Sequence, residues 1–180
     1  IPMTIKHITF NFHLNQMAFL KTQTRDISVS NYGVCAGMVS SWIQNEFAEK
    51  PQSFIYYKNA YKFISRQRAL TSKYMISRKL NLAFKSDSFY QLDQTELKSN
   101  HFQSFIISKI EGVFSIVIYA ANGYSHCIGM SIRKGTYKIF DPNLGEFQVT
   151  KSKSFSSFIC QDWLSKKYPP SRIPYLQITQ

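Results

Sequence analysis

Cys35, His126 and Asp141 are the residue types that acyl transfer through a thiol requires: a nucleophile, a base and an acid to orient the base. A cysteine attacks as its thiolate, and unpaired backbone N–H groups at a helix N-terminus favour that anion. Apolar residues Met38, Val39, Trp42, Ile43 and Phe47 recur after Cys35 at three- and four-residue spacing, predicting a helix from Cys35 to about Glu49. Tyr32 and Gly33 form the turn into it, so Cys35 stands at its N-terminus. The same helix start can offer backbone donors to an oxyanion. Gly33 and Gly37 would let a substrate approach closely. The competing reading is a buried cysteine on a core-facing helix.

His126 and Asp141 are expected on one hairpin. A two- or four-residue loop centred between Lys134 and Gly135 sets Ile128 opposite Asp141, with His126 as diagonal neighbour on the same face. Ile128, Met130 and Ile132 would share that face with Tyr137 and Ile139. Asp141 could then accept a hydrogen bond from one imidazole nitrogen, freeing the other to act as base and later as acid. Alternatively His126 is a satisfied edge histidine and Asp141 a turn residue, since Asp-Pro followed by Asn143 and Gly145 is ordinary turn chemistry. Cys127 alternates to the opposite face and reads as core.

The elements that must position these residues follow from pattern. Ile5, Phe10, Phe12 and Leu14 suggest a strand or an arm packed on the domain, and residues 53–84 suggest two or more helices. A polar connection is expected around Ser86 to Asn100. Strands are then expected over Gly112 to Ala120, His126 to Ile132, Thr136 to Phe140 and Glu146 to Thr150. An amphipathic helix through Phe155, Phe158, Ile159, Trp163 and Leu164 closes the chain, ended by Pro169-Pro170. Helices followed by an antiparallel sheet make an α+β fold.

At 180 residues, 44% of them apolar, the chain suits one domain spanning 1–180. A start at Ile1 with no charged or apolar leader suggests a piece of a larger protein. The longest apolar stretch, Val113 to Ala121, is short for a membrane-spanning helix. Three cysteines without CxxC spacing argue against a disulfide framework and a zinc site, and His7, His13 and His101 lack metal-ligand spacing. No metal or other cofactor is expected.

Three segments resemble the YopT-like family of bacterial effector cysteine proteases, within the papain superfamily. Gly33-Val34-Cys35-Ala36-Gly37-Met38, with Trp42 beyond, is similar to its nucleophile motif. Ser125-His126-Cys127-Ile128-Gly129 and Phe140-Asp141-Pro142-Asn143-Leu144-Gly145-Glu146-Phe147 are similar to its histidine and aspartate motifs. The resemblance covers about residues 30–150 and implies a papain-like fold with Cys35 as nucleophile, His126 as base and acid, and Asp141 orienting the histidine. It also implies a monomeric toxin or effector domain translocated into the host cytoplasm. Host proteins would be cleaved there, membrane-bound small GTPases and kinases among them. Asn31 is the candidate amide of the oxyanion hole, and is otherwise a turn or cap residue before the helix.

The net charge is +12, and between Lys50 and Ser86 there are nine basic residues and no acidic one. This stretch reads either as a solvated helix surface or as one drawn to an anionic membrane. Interleaved tyrosines also fit nucleic acid, which is the less favoured partner. Three functions therefore compete: a cysteine endopeptidase, a deamidase, transglutaminase or acyltransferase using the same triad, and a non-catalytic basic module that binds membranes.

Overall fold

The structure, a computed structural model, describes residues 8–23, 34–49, 60–77, 90–97, 111–120, 125–149 and 170–179. Among the described residues three helices precede most of the sheet: α1 (Gln16–Gln23), α2 (Cys35–Phe47) and α3 (Ala60–Ser77). The strands are β1 (Ile8–His13), β2 (Tyr90–Leu97), β3 (Gly112–Ala120), β4 (Ser125–Arg133), β5 (Thr136–Asp141), β6 (Gly145–Val149) and β7 (Pro170–Thr179). They form one antiparallel sheet in the order β1-β6-β5-β4-β3-β7-β2. The α+β architecture expected from the sequence is the one found.

The helix periodicity of α2 becomes its buried face. Met38, Val39, Trp42 and Ile43 are fully buried, and the helix lies across β4, β3 and β5. Trp42 stacks on Phe140 of β5 with ring centroids 5.8 Å apart. The strand beneath the indole cannot carry a side chain: a Cβ on Gly129 would lie 2.6 Å from Trp42 Cε3. The Trp42 Nε1–H donates to Glu146 Oε2 at 2.6 Å, and Asn11 Nδ2 donates to Glu146 Oε1 at 2.6 Å. This buried carboxylate ties helix, β1 and β6 together. Burying it without such donors would be costly.

The β4–β5 register is the anticipated one. Met130 pairs with Ile139 and Ile132 with Tyr137, and the hairpin closes through Lys134 and Gly135. Both turn residues have positive φ, 49° and 75°, the left-handed geometry that matches a tight turn to the twist of two strands. Residues 126–132 of β4 are buried on both faces of the sheet.

Several expectations change. Helix α2 ends at Phe47, two residues early, and Glu49 turns left-handed with φ 53°. Within residues 53–84 the described part is one helix, α3, and the rest lies outside the described residues. The expected connection around Ser86 to Asn100 contains strand β2, whose pairing with β7 supplies what its polar composition does not advertise. Pro170, read as a stop, begins β7. Helix α1 follows β1 where a strand or arm alone was expected. The closing helix through Phe155 to Leu164 lies outside the described residues. Among the described residues, no helix is long and apolar enough to cross a membrane.

Gly37 serves packing rather than substrate approach. A Cβ there would meet the Phe63 carbonyl oxygen at 2.3 Å, so its hydrogen is what lets α2 and α3 touch. Gly37→Ala should separate the two helices and destabilise the fold by about 1–3 kcal/mol, the usual range for overpacking, readable as a lowered urea midpoint with unchanged slope.

Candidate active site

The place of Cys35 is set by where α2 begins. Val34 has φ −136° and ψ 35°, outside helical geometry, and its own side chain makes no capping hydrogen bond. Cys35, the next residue, is partly buried at that N-terminus. The buried His126 is the second residue of β4 and the buried Asp141 closes β5, so the hairpin brings its two ends together beside the helix start. His126 Nε2 and Asp141 Oδ1 are 2.8 Å apart. The remaining ring nitrogen, Nδ1, is buried, and His126 lies near enough to the Cys35 thiol for each to shift the other's titration.

The electrostatics follow from this contact. Burial pushes the Cys35 thiol up, but the hydrogen bond and charge of His126 outweigh it, helped by the backbone N–H groups of Cys127 and Ala36. The net result is a lowered thiol pKa. Burial works against a charged His126, yet the Asp141 hydrogen bond, the Cys35 hydrogen bond and both negative charges raise it to about 9. Thiolate and imidazolium therefore stabilise each other over a window that ends near the alkaline limit set by His126.

Cys127 shows the contrast. Burial first, and then the negative charge of Cys35, push its thiol well above the ordinary range. Its sulfur sits 3.5 Å from the Ser115 hydroxyl. Adjacent thiols thus receive opposite treatment, and Cys127 takes the core position that strand alternation predicted.

The loop after Asp141 locks the carboxylate. Asn143 N–H donates to Asp141 Oδ1 at 2.8 Å and Leu144 N–H to the Asp141 carbonyl at 2.9 Å. Gly145 has φ 117°, and a Cβ there would meet the Phe12 carbonyl at 2.1 Å. The turn chemistry and the acid role are thus compatible: one oxygen of Asp141 serves both. No pattern in the residues marks Gln16, whose side chain reaches both this loop and the start of α2. Asn31 and Gly33 lie outside the described residues. Among the described residues, no group of three or more histidine, cysteine or acidic side chains could hold a metal ion.

Residues 106–172 match the family model described as Yersinia/Haemophilus virulence surface antigen, a family of peptidases. The Pseudomonas avirulence protein AvrPphB superposes with a TM-score of 0.67 at 16% identity, covering 89% of this chain and 100% of that one. The matched stretch, which holds His126 and Asp141, is thus similar to a YopT-like peptidase family. The AvrPphB likeness establishes the papain-like α+β fold. A cysteine protease-like domain of the Photorhabdus asymbiotica toxin PaTox aligns with a TM-score of 0.47 at 15% identity, covering 94% of this chain and 54% of that one. No curated protein matches the chain in sequence.

The linked titration can be read directly. Cys35→Ala removes a hydrogen bond and a negative charge that favour the imidazolium, so the His126 pKa should fall from about 9. Asp141→Asn should also lower it. NMR titration of the His126 ring in each variant measures the shift. The raised value also means that His126 stabilises the fold fully below its unfolded pKa of about 6.5, and that this contribution fades as pH rises through about 9.

Proposed function

We propose that this domain is a cysteine endopeptidase in which Cys35 attacks a peptide carbonyl carbon. The carrying observation is the buried His126–Asp141 hydrogen bond standing beside the Cys35 thiol at the start of α2, near enough for His126 and Cys35 to shift each other's titration. As the C–S bond forms, the carbonyl electrons move onto oxygen, where backbone N–H groups at the start of α2 and the Asn31 side chain are the candidate donors. The His126 imidazolium protonates the leaving amine as the C–N bond breaks, leaving an acyl-enzyme thioester. His126 then takes a proton from water, whose oxygen attacks the thioester, and the thiolate departs. Asp141 holds the ring in place throughout. No cofactor enters the cycle.

The relatives' names, a virulence surface antigen, an avirulence protein and a toxin domain, favour a bacterial effector or toxin acting on host proteins after translocation. The basic α3 supports a substrate at an anionic membrane. Lys62 and Arg68 are exposed on it, while Arg66 turns inward, donating to Ser40 Oγ at 3.1 Å and to Gln44 Oε1. A membrane-associated GTPase or kinase would suit such a surface.

Cys35→Ala should abolish cleavage of host-lysate proteins, by at least about a thousandfold, with an unchanged circular dichroism spectrum. New N-termini found by mass spectrometry would establish proteolysis. A +1 Da change on glutamine or a larger adduct would instead establish deamidation or transfer by the same thioester. Iodoacetamide should label Cys35 faster than Cys127 in the native protein, and equal rates would remove the basis for catalysis. Lys62→Glu with Arg68→Glu should weaken sedimentation with anionic vesicles in low salt, an effect that added salt should erase.

A further inference from the structure

Gln16 is a buried amide with a use at each end. Its side-chain Oε1 accepts from the Val34 N–H at 3.0 Å, at the residue directly before Cys35. Its Nε2 donates to Asn143 Oδ1 at 2.7 Å, and its own backbone N–H donates to the Pro142 carbonyl at 2.8 Å. Asn143 in turn donates its backbone N–H to Asp141 Oδ1, the oxygen that meets His126. Only 4% of Gln16 is exposed, so all of this takes place away from solvent competition.

The two halves of the site otherwise come from distant parts of the chain. The thiol depends on where α2 starts, and the acid depends on how the β5–β6 loop is held. We propose that Gln16 is a positioning residue that fixes the start of the nucleophile helix against the Asp141 loop, and so sets the contact between Cys35 and the His126–Asp141 pair. It touches no reacting atom. Val34 lacks a side-chain cap of its own, and the Gln16 amide oxygen takes one of the backbone donors entering the helix. A glutamine suits the task because it offers an acceptor and a donor on one planar group, whereas methionine has similar length, no donor and only a weakly accepting sulfur.

This inference rests on Cys35, His126 and Asp141 forming the catalytic group, and its test separates the two ideas. The rate of Cys35 alkylation by iodoacetamide is followed against pH in the parent protein, Gln16→Met, Asn143→Ala and the double variant, with the labelled peptide quantified by mass spectrometry. The described titratable groups facing Cys35 are His126 and Cys127, with Asp141 behind the histidine, so the acid limb of the profile reports the Cys35–His126 contact. In the parent that limb lies below the range of an ordinary thiol. Each single variant should move it upward by about one unit, cutting the rate at pH 6 about tenfold. The double variant should lose no more than either single one, because both break the same link.

A lowered melting temperature with the parental pH profile would reduce Gln16 to a stabilising core residue and overturn the proposal. Additive losses in the double variant would also overturn it. If Gln16→Met does not fold, the Asn143→Ala profile decides alone, since that side chain is only half-buried. An ordinary thiol profile in the parent would instead overturn the catalytic assignment, and this inference with it.

Discussion

The two-residue turn at Lys134 and Gly135 is the constraint on which the site depends. Side chains alternate along a strand, so a one-residue slip in the β4–β5 pairing would send Asp141 to the other face. The same slip would put Phe140 where it could not stack on Trp42 and would place a side chain where Gly129 leaves room for the indole. Core packing and site geometry therefore demand the same register. Two residues with positive φ enforce it at the turn, and the apolar face of Ile128, Met130, Ile132, Tyr137 and Ile139 enforces it along the strands.

The hairpin brings histidine and aspartate together at its open end, and α2 delivers the cysteine to the same place. The helix is anchored by apolar burial along its length, by the Trp42–Glu146 hydrogen bond and by close approach to α3 at Gly37. None of these contacts touches the thiol. They fix the helix axis and rotation, and the charge balance among Cys35, His126 and Asp141 then follows from proximity. Stability and chemistry thus draw on separate sets of contacts that meet at Val34 and the Asp141 loop.

What could be read in the sequence was local and periodic. The three- and four-residue spacing of apolar residues in α2 and the alternation Ile128, Met130, Ile132 against Tyr137, Ile139 both appear in the residues themselves, and so does the turn between those strands. What could not be read depended on distant partners. Strand β2, Tyr-Gln-Leu-Asp-Gln-Thr-Glu-Leu, carries two acids and three other polar residues, and its strand state comes from pairing with β7. Strand β7 lies inside the sheet although it contains Pro170 and Pro174, which argue against an interior strand. Gln16 was invisible for a related reason. A glutamine acquires meaning only when two loops from elsewhere in the chain close around it, and no spacing within its own helix reports that.

Strand β1 occupies one edge of the sheet, covering β6, and its pairing is interrupted between Phe10 and Phe12. Irregular edges of this kind discourage a second chain from adding on as another strand. Three residues later the same segment reaches Gln16. The same arm therefore shields the sheet edge with its strand while the helix that follows holds the start of α2 and the Asp141 loop, and loosening it would expose the edge and shift Cys35 against His126 in one event.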